Sequence, residues 1–209
     1  MGQGNCDETP LKERLKQHIH LIVNESQRIL DQIDAENHCL LSDFDNIGRT
    51  FKEVESLAAS FYLQCYLSSF TSNYLDLSIC IQNLMERRHG ALIVIERNDN
   101  LDAIIHSGVA LVAKLSYSLL EAIFYPGNPL HDGAVLIKSD QIISAANVLP
   151  VSNASNVDKK FGMRHRAAIG LTEITDALVL VVSEESGDAS FVYKGKLHPI
   201  KTMVMPTTV

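Results

Sequence analysis

Two short, nearly continuous apolar runs rich in β-branched residues constrain the fold of this chain more than any other feature. They cover Ala91–Glu96 and residues 178–183, and each is strand-sized and too short to cross a bilayer. Such strands are buried on both faces, so helices must cover both sides of their sheet. No βαβ unit repeats along the chain. The two runs therefore predict an α/β fold with a central mixed β-sheet flanked by helices.

The remaining elements follow from periodicity and from turn residues. Helices are predicted over residues 74–88, 116–124 and 166–172, and further strands over residues 134–138, 142–149 and 189–193. Residues 103–106 and 109–113 flank Ser107-Gly108, which predicts a hairpin or a bent pair of strands.

The first third of the chain has a different pattern, in which apolar residues alternate at spacings of four and three. One series lies within residues 15–33 and the other within residues 47–68. Residues 42–46 are rich in capping residues and are predicted to join the two helices. We therefore predict an N-terminal helical hairpin in residues 1–70, before a second domain in residues 71–209. The apolar rows favour packing within the hairpin, with a partner-binding face as the alternative.

Charge and cysteine content exclude several classes of function. The formal net charge is −7, so a broad basic surface for DNA is absent. None of the four cysteines has the spacing of a metal site, and we predict reduced thiols in a cytoplasmic protein. No apolar run is long enough for a membrane span.

Three polar segments interrupt the second domain, each at the boundary of a predicted element. We call them the HDG segment (residues 130–134, LHDGA), the RHR segment (161–168, FGMRHRAA) and the EE segment (183–187, SEESG). Taken singly, the first is typical of a turn and the third of a solvated loop. The second is less ordinary, because two arginines at a helix N-terminus oppose the helix dipole unless an anion lies between them.

Together the three segments indicate one chemistry. Arginines and backbone amides at a helix N-terminus bind phosphate. Carboxylates and a histidine at strand ends can hold a divalent metal and position a hydroxyl group. Gly133 allows close backbone approach to a ligand. The combination predicts metal-assisted nucleotidyl transfer.

The order and spacing LHDGA…GMRHRAA…SEESG resembles the diadenylate cyclase domain, over residues 71–209. The helical extension resembles that of the sporulation-associated members of this family in spore-forming bacilli. The resemblance implies that two ATP molecules, bound with Mn²⁺ or Mg²⁺ in two face-to-face domains, condense into cyclic di-AMP and two pyrophosphates. It implies a homo-oligomer, at least a dimer and up to a hexamer, that requires neither DNA nor a membrane.

The resemblance also assigns roles to residues of this sequence. Asp132 would position or activate the 3′-hydroxyl group, and Arg164, His165 and Arg166 would act on the phosphates. The implied metal ligands are His131, Asp132 and Glu185. The implied nucleotide-binding residues are Gly133, Ala134, Leu149, Met163, Ser183, Glu184 and Glu185.

One position departs from the family pattern, which usually has threonine immediately before Arg-His-Arg. Here it is Met163, whose thioether is a poor partner for phosphate. Three alternatives stay open beside the cyclase: a nucleotide sensor without turnover, a scaffold that works through its hairpin, and a metal phosphohydrolase using His131, Asp132 and His165.

Overall fold

The computed structural model describes residues 9–33, 40–106, 108–152 and 161–200. Within these ranges five helices and seven strands form, and they confirm the predicted α/β fold. The helices are α1 (Thr9–Gln32), α2 (Leu40–Ser68), α3 (Tyr74–Arg87), α4 (Tyr117–Ile123) and α5 (Met163–Ile174). The strands are β1 (Ala91–Glu96), β2 (Val109–Lys114), β3 (Ala134–Lys138), β4 (Gln141–Asn147), β5 (Leu178–Val182), β6 (Ala189–Tyr193) and β7 (Lys196–Ile200).

The strands form one mixed sheet in the order β2-β4-β3-β1-β5-β6-β7. The pair β1–β3 is parallel, whereas β1–β5 and the hairpin neighbours are antiparallel. β1 and β5 are buried at every position, as their apolar sequences predict. Their side chains alternate between two cores, one shared with α2, α3 and α4 and the other with α5. Helices therefore cover both faces of the sheet.

Two features of the sheet differ from the sequence prediction. Residues 103–106 are not a strand. They form a turn in which the amides of Ile104 and Ile105 donate to Leu101, followed by an isolated bridge from His106 to Val148. The predicted hairpin is therefore wrong, and β2 pairs with β4. The edge strand β7, which contains proline, was not predicted.

The two N-terminal helices pack against each other, but their connection is not where the capping residues predicted it. α2 begins at Leu40, so residues 42–46 lie inside the helix. Asp43 is buried and accepts a hydrogen bond from Arg28 of α1 at 2.6 Å. Its carboxylate therefore joins the two helices.

The second half of α2 belongs to the core of the sheet. Ala59, Leu63 and Leu67 are buried in the same cluster as residues of β1 and β5. This row lies beside the predicted apolar series, whose members Val54 and Cys65 are only half-buried. α2 packs against both α1 and the sheet, so a single four–three series does not identify its buried positions.

The cysteines only partly match the prediction. Cys80 is a free thiol whose pKa is raised by burial. Cys65 is disulfide-bonded, so the prediction of reduced thiols is wrong for this residue. Among the described residues, no helix has the length and apolarity needed to cross a membrane.

Candidate active site

The ends of three strands place the predicted site segments at one edge of the sheet. β1 and β3 begin at this edge, since Ile93 is paired in parallel with Val135. β5 ends there, because Ala91 pairs with Val182. The HDG segment leads into β3 and the EE segment follows β5. Neighbouring strands lie about 4.8 Å apart, so roughly 10 Å separates the two segments, a distance that a triphosphate can span.

The RHR segment reaches the same edge through an ion pair. Arg164, near the start of α5, contacts Glu184 of the EE segment with Nη1 and Oε2 2.8 Å apart. The structure therefore brings the three segments together. Gly162 is the N-cap of α5 and supplies no side-chain cap, which leaves the first amides of the helix for a ligand.

Gly133 has a conformation and a packing environment that require glycine. Its φ is +118°, and a Cβ atom there would lie 2.7 Å from the carbonyl carbon of Ala146. Asn147, which the sequence analysis missed, is buried beside it and donates to the carbonyl of Ala134 at 2.7 Å. This contact fixes the HDG segment against the end of β4.

His131 and Asp132 occupy the turn immediately before Gly133. Asp132 is exposed, so its carboxylate is accessible to a substrate hydroxyl group. His131 is half-buried, and its Nδ1 atom lies 2.5 Å from the carbonyl oxygen of Asn128.

Arg164 lies over a glycine that the sequence analysis missed. A Cβ atom on Gly90 would lie 2.6 Å from Nη1 of Arg164 and 2.9 Å from Oε2 of Glu184. Gly90 immediately precedes β1 and is buried. Only glycine leaves room for this ion pair at the start of the strand.

Arg166 lies two residues after Arg164 in α5 and is held by the chain after β4. Its amino group donates to the carbonyl of Ser152 at 3.2 Å, and the amide of Ser152 donates back to Arg166. The Nε atoms of Arg164 and Arg166 are buried and have no hydrogen-bond partner in the described part of the chain. Guanidinium groups with spare donors near a helix N-terminus suit the binding of an anion.

His165 lies between the arginines and stacks on Phe161 with ring centroids 5.2 Å apart. Burial lowers its pKa below the ordinary value, although the nearby Glu185 carboxylate acts in the opposite direction. The ring is therefore mainly neutral at pH 7.

The EE segment is a tight turn. The amide of Ser183 donates to Asp188, the amide of Gly187 donates to Ser183, and Gly187 has φ +78°. This closure leaves Glu184 and Glu185 exposed at the tip.

The remaining predicted nucleotide-binding residues lie around the same edge. Ala134 begins β3 and is buried, and Leu149 is buried just beyond β4. Met163 begins α5 and is 70% exposed, so its side chain contributes little to the fold.

The predicted metal ligands do not form a preassembled cage. Among the described residues, no group of three or more His, Cys, Asp or Glu side chains could hold a metal ion. His131, Asp132 and Glu185 therefore do not complete a site by themselves. Their donor types still suit a divalent ion that arrives with ATP, because Mg²⁺ binds one or two carboxylates together with substrate phosphates.

A cavity of about 730 Å³ lies beside this edge and not at it. Its wall is formed by Arg87, Glu121, Ala122, Tyr125, Pro126, Gly127, Asn128 and Pro129. None of the predicted site residues lines it.

Comparison with known families covers both parts of the chain. Residues 78–197 match the DAC family, described as "DisA bacterial checkpoint controller nucleotide-binding". Residues 2–70 match the family described as "Diadenylate cyclase CdaS, N-terminal". This chain belongs to the diadenylate cyclase family. The resemblance stated from the sequence, including that of the N-terminal extension, is confirmed.

Similar proteins support the assignment to the diadenylate cyclases along nearly the whole chain. "Diadenylate cyclase CdaS" of Bacillus thuringiensis is 50% identical over 190 residues, which are 91% of this chain and 94% of that protein. "Cyclic di-AMP synthase CdaS" of Bacillus subtilis is 45% identical over 200 residues, 96% of each chain. These names are those of enzymes, and the prediction of an enzyme is confirmed.

A solved structure shows the same fold. The crystal structure of a "hypothetical membrane spanning protein" from Bacillus cereus has 48% sequence identity and a TM-score of 0.79. The match covers 93% of this chain and 95% of that one.

Proposed function

We propose that this protein condenses two ATP molecules into cyclic di-AMP and releases two pyrophosphates. The observation that carries the proposal is the meeting of the HDG, RHR and EE segments at one edge of the sheet. The Arg164–Glu184 ion pair joins two of these segments directly, and the β3–β1–β5 register brings the third beside them.

The reaction forms two phosphodiester bonds. Each ribose 3′-oxygen attacks the α-phosphorus of the other ATP, and the bond from that phosphorus to the bridging β-phosphate oxygen breaks. Pyrophosphate carries away the electron pair. We assign Asp132 to orient the attacking hydroxyl group and accept its proton.

The phosphates would be bound by the beginning of α5. Arg164 and Arg166 supply guanidinium groups, and the uncapped amides of the helix supply further donors. Pyrophosphate departure increases negative charge, so donors fixed beforehand by Ser152 and Glu184 favour the transition state. Neutral His165 can donate one further hydrogen bond without repelling the arginines.

A divalent ion, Mn²⁺ or Mg²⁺, would neutralise charge on the triphosphate. The residues that would hold it are His131, Asp132 and Glu185, together with phosphate oxygens.

One domain holds one nucleotide, so ring closure needs a second copy in a face-to-face arrangement. Apolar side chains on the surface of the hairpin suggest how copies associate. Those at least half exposed include Ile19, Val23, Leu30, Ile33, Leu41, Phe44 and Phe51. Ile19, Val23 and Leu30 of α1 share one stripe at helical spacing, whereas Leu21, which is 55% exposed, lies on another side of the helix. We propose that these residues hold a homo-oligomer, up to a hexamer, that controls how the sites meet.

Substitution tests the oligomer separately from the chemistry. Replacing Ile19, Leu30 and Phe51 together by glutamate places charge on the exposed apolar face and leaves the buried rows intact. We expect a smaller particle in light scattering after size exclusion, with an unchanged circular dichroism spectrum. An unchanged mass would discard this role of the hairpin.

Incubation with ATP and Mn²⁺ or Mg²⁺ tests the cyclase itself. We expect cyclic di-AMP and pyrophosphate in a ratio of one to two, and a loss of at least a hundredfold in Asp132→Asn. Bound ATP without product would support the sensor, for which Met163 is the favouring observation. AMP or ADP would indicate a phosphohydrolase. Equal product formation by Asp132→Asn would remove Asp132 from the reaction.

The cytoplasm is the proposed location because ATP is the proposed substrate. In this scheme the cyclisation reaction requires neither DNA nor a membrane.

A further inference from the structure

Asn128 lies three residues before His131, outside the predicted site, and is fixed on every side by hydrogen bonds. Its amide donates to the carbonyl of Tyr125 at 3.0 Å. Its side-chain Nδ2 donates to the carbonyl of Ala122 at 2.8 Å, and its Oδ1 accepts from the amide of Leu130 at 2.9 Å. Its own carbonyl accepts from both the amide and the ring of His131.

These contacts connect the HDG segment to the core. Ala122 belongs to α4, whose Leu120 and Ile123 are buried against the sheet. The side chain of Asn128 bridges the end of this helix and the turn that follows. The carbonyl that faces His131 is therefore held by a rigid element and not by a free loop.

The contact also determines which nitrogen of His131 carries the proton. A carbonyl oxygen only accepts hydrogen bonds, so the Nδ1 atom at 2.5 Å must be the donor. In the neutral ring, the proton is then on Nδ1 and the lone pair on Nε2, at the far side of the ring. A lone pair can bind a metal ion or accept a proton, whereas an N–H group in its place can do neither.

We propose that Asn128 is a positioning residue that holds His131 in the Nδ1–H tautomer and so leaves Nε2 unprotonated and able to bind the divalent ion that would arrive with the nucleotide. The use of Nε2 rests on the proposed function, whereas the tautomer does not. Partners that fix the tautomer of a metal-binding histidine typically contribute ten- to a hundredfold in affinity or activity.

Nitrogen NMR of ¹⁵N-histidine-labelled full-length protein, without nucleotide or metal, tests the tautomer directly. His131→Gln assigns the resonance by its disappearance. At a pH where the ring is neutral, we expect the shifts of an Nδ1–H ring in the wild type and of a mixture or an Nε2–H ring in Asn128→Ala. An Nε2–H ring in the wild-type protein would overturn the proposal.

Activity and metal dependence test what the tautomer does. We expect Asn128→Ala to raise the Mn²⁺ concentration for half-maximal cyclisation about tenfold. Asn83→Ala is the matched control, because it removes an asparagine bond to Glu121 of α4 at 2.6 Å and leaves the HDG turn intact. It should leave His131 in the Nδ1–H form and change the Mn²⁺ concentration for half-maximal cyclisation by less than twofold.

Asn128→Asp serves as a second variant in case Asn128→Ala does not fold. It keeps the acceptor for Leu130 but loses the donor to Ala122. We therefore expect an intermediate effect on the His131 tautomer and on the Mn²⁺ dependence. An Nδ1–H ring with unchanged metal dependence in a folded variant would reject the role of Asn128. If the wild type made no cyclic product, the proposed function would fail while the tautomer remained measurable.

Discussion

At the residue scale, two glycines at the start of strands make room for neighbouring groups of the candidate site. Gly90 lies beneath the Arg164–Glu184 pair, and Gly133 lies against Ala146. The nearest atoms differ in kind: flexible side-chain ends at Gly90 and rigid backbone at Gly133. Substitutions at the two positions should therefore act differently, on activity alone at Gly90 and on folding at Gly133.

Gly90→Ala should impair catalysis without unfolding the protein. The new methyl group would displace Arg164 and Glu184, which can rotate away, so we expect the melting temperature to change by less than about 3 °C. The value of kcat/KM should fall about tenfold, since Arg164, which we propose binds phosphate, would be misplaced. Gly48→Ala is the matched control, because a Cβ there meets nothing within 4 Å. Unchanged kcat/KM in Gly90→Ala would show that the ion pair is not needed.

Met163→Thr should increase activity. The side chain is exposed at the first position of α5, where a hydroxyl group can donate to a bound phosphate. We expect KM for ATP to fall severalfold, by analogy with one additional hydrogen bond of about 1 kcal/mol. Met163→Ala controls for loss of the thioether and should leave KM unchanged. An equal effect of both substitutions would remove the hydroxyl group from the explanation.

Sequence patterns identified the charged residues of the proposed site, which stay a prediction, but not the residues that contact them. Asp132, Arg164 and Glu184 belong to conspicuous polar segments. Gly90 and Asn128 act through contacts with residues distant in sequence or with backbone carbonyls, and no local pattern records such contacts.

At the scale of elements, short connections fix the helices relative to the sheet. Asp140 in the β3–β4 turn accepts hydrogen bonds from the hydroxyl groups of Thr71 and Ser72 and from the amide of Ser72, all within 2.8 Å. Asp140 therefore ties the connection between α2 and α3 to the sheet.

The elements that the sequence predicted well were the apolar ones. The edge strand β7 and the turn at residues 103–106 depended on pairing partners that their own sequences do not specify.

Asp140→Asn should destabilise the fold in a pH-dependent way. Hydrogen bonds from Ser72 and Thr71 hold the pKa of Asp140 below its ordinary value. A depressed folded-state pKa stabilises the fold above the unfolded pKa of about 3.9, and the effect is lost as pH falls through the folded value. Because the group is solvent-screened, we expect a loss of about 1 kcal/mol or less at pH 7.

Urea unfolding at pH 7 and at pH 3 measures this effect. The difference between the wild type and Asp140→Asn should shrink at the lower pH. Ser72→Ala, which removes one donor, should give a smaller loss with the same trend. A difference that grew on acidification would contradict the assignment.

At the scale of the whole molecule, the hairpin and the sheet share one core. Ala59, Leu63 and Leu67 of α2 are buried against the sheet. Nearby, the guanidinium group of Arg97 lies 4.5 Å from the ring centre of Phe70 of the α2–α3 connection. The boundary between residues 70 and 71 stays a prediction, and removing residues 1–69 would also strip apolar cover from the sheet.

Leu63→Ala should therefore destabilise the whole protein. A fully buried leucine replaced by alanine typically costs 2–5 kcal/mol, and we expect about 3 kcal/mol in a single unfolding transition. Lys52→Ala, at an exposed position of the same helix, should change the free energy of unfolding by less than about 0.5 kcal/mol. A separate early transition for α1 and α2 would show instead that the hairpin is an independent unit.

The most direct test of the proposed site is a crystal structure of Asp132→Asn with ATP and Mn²⁺. We expect the triphosphate at the start of α5, within hydrogen-bond distance of Arg164 or Arg166, and the ribose beside residue 132. A nucleotide bound instead in the cavity between α3, α4 and residues 125–129, away from both arginines, would contradict the proposed active site.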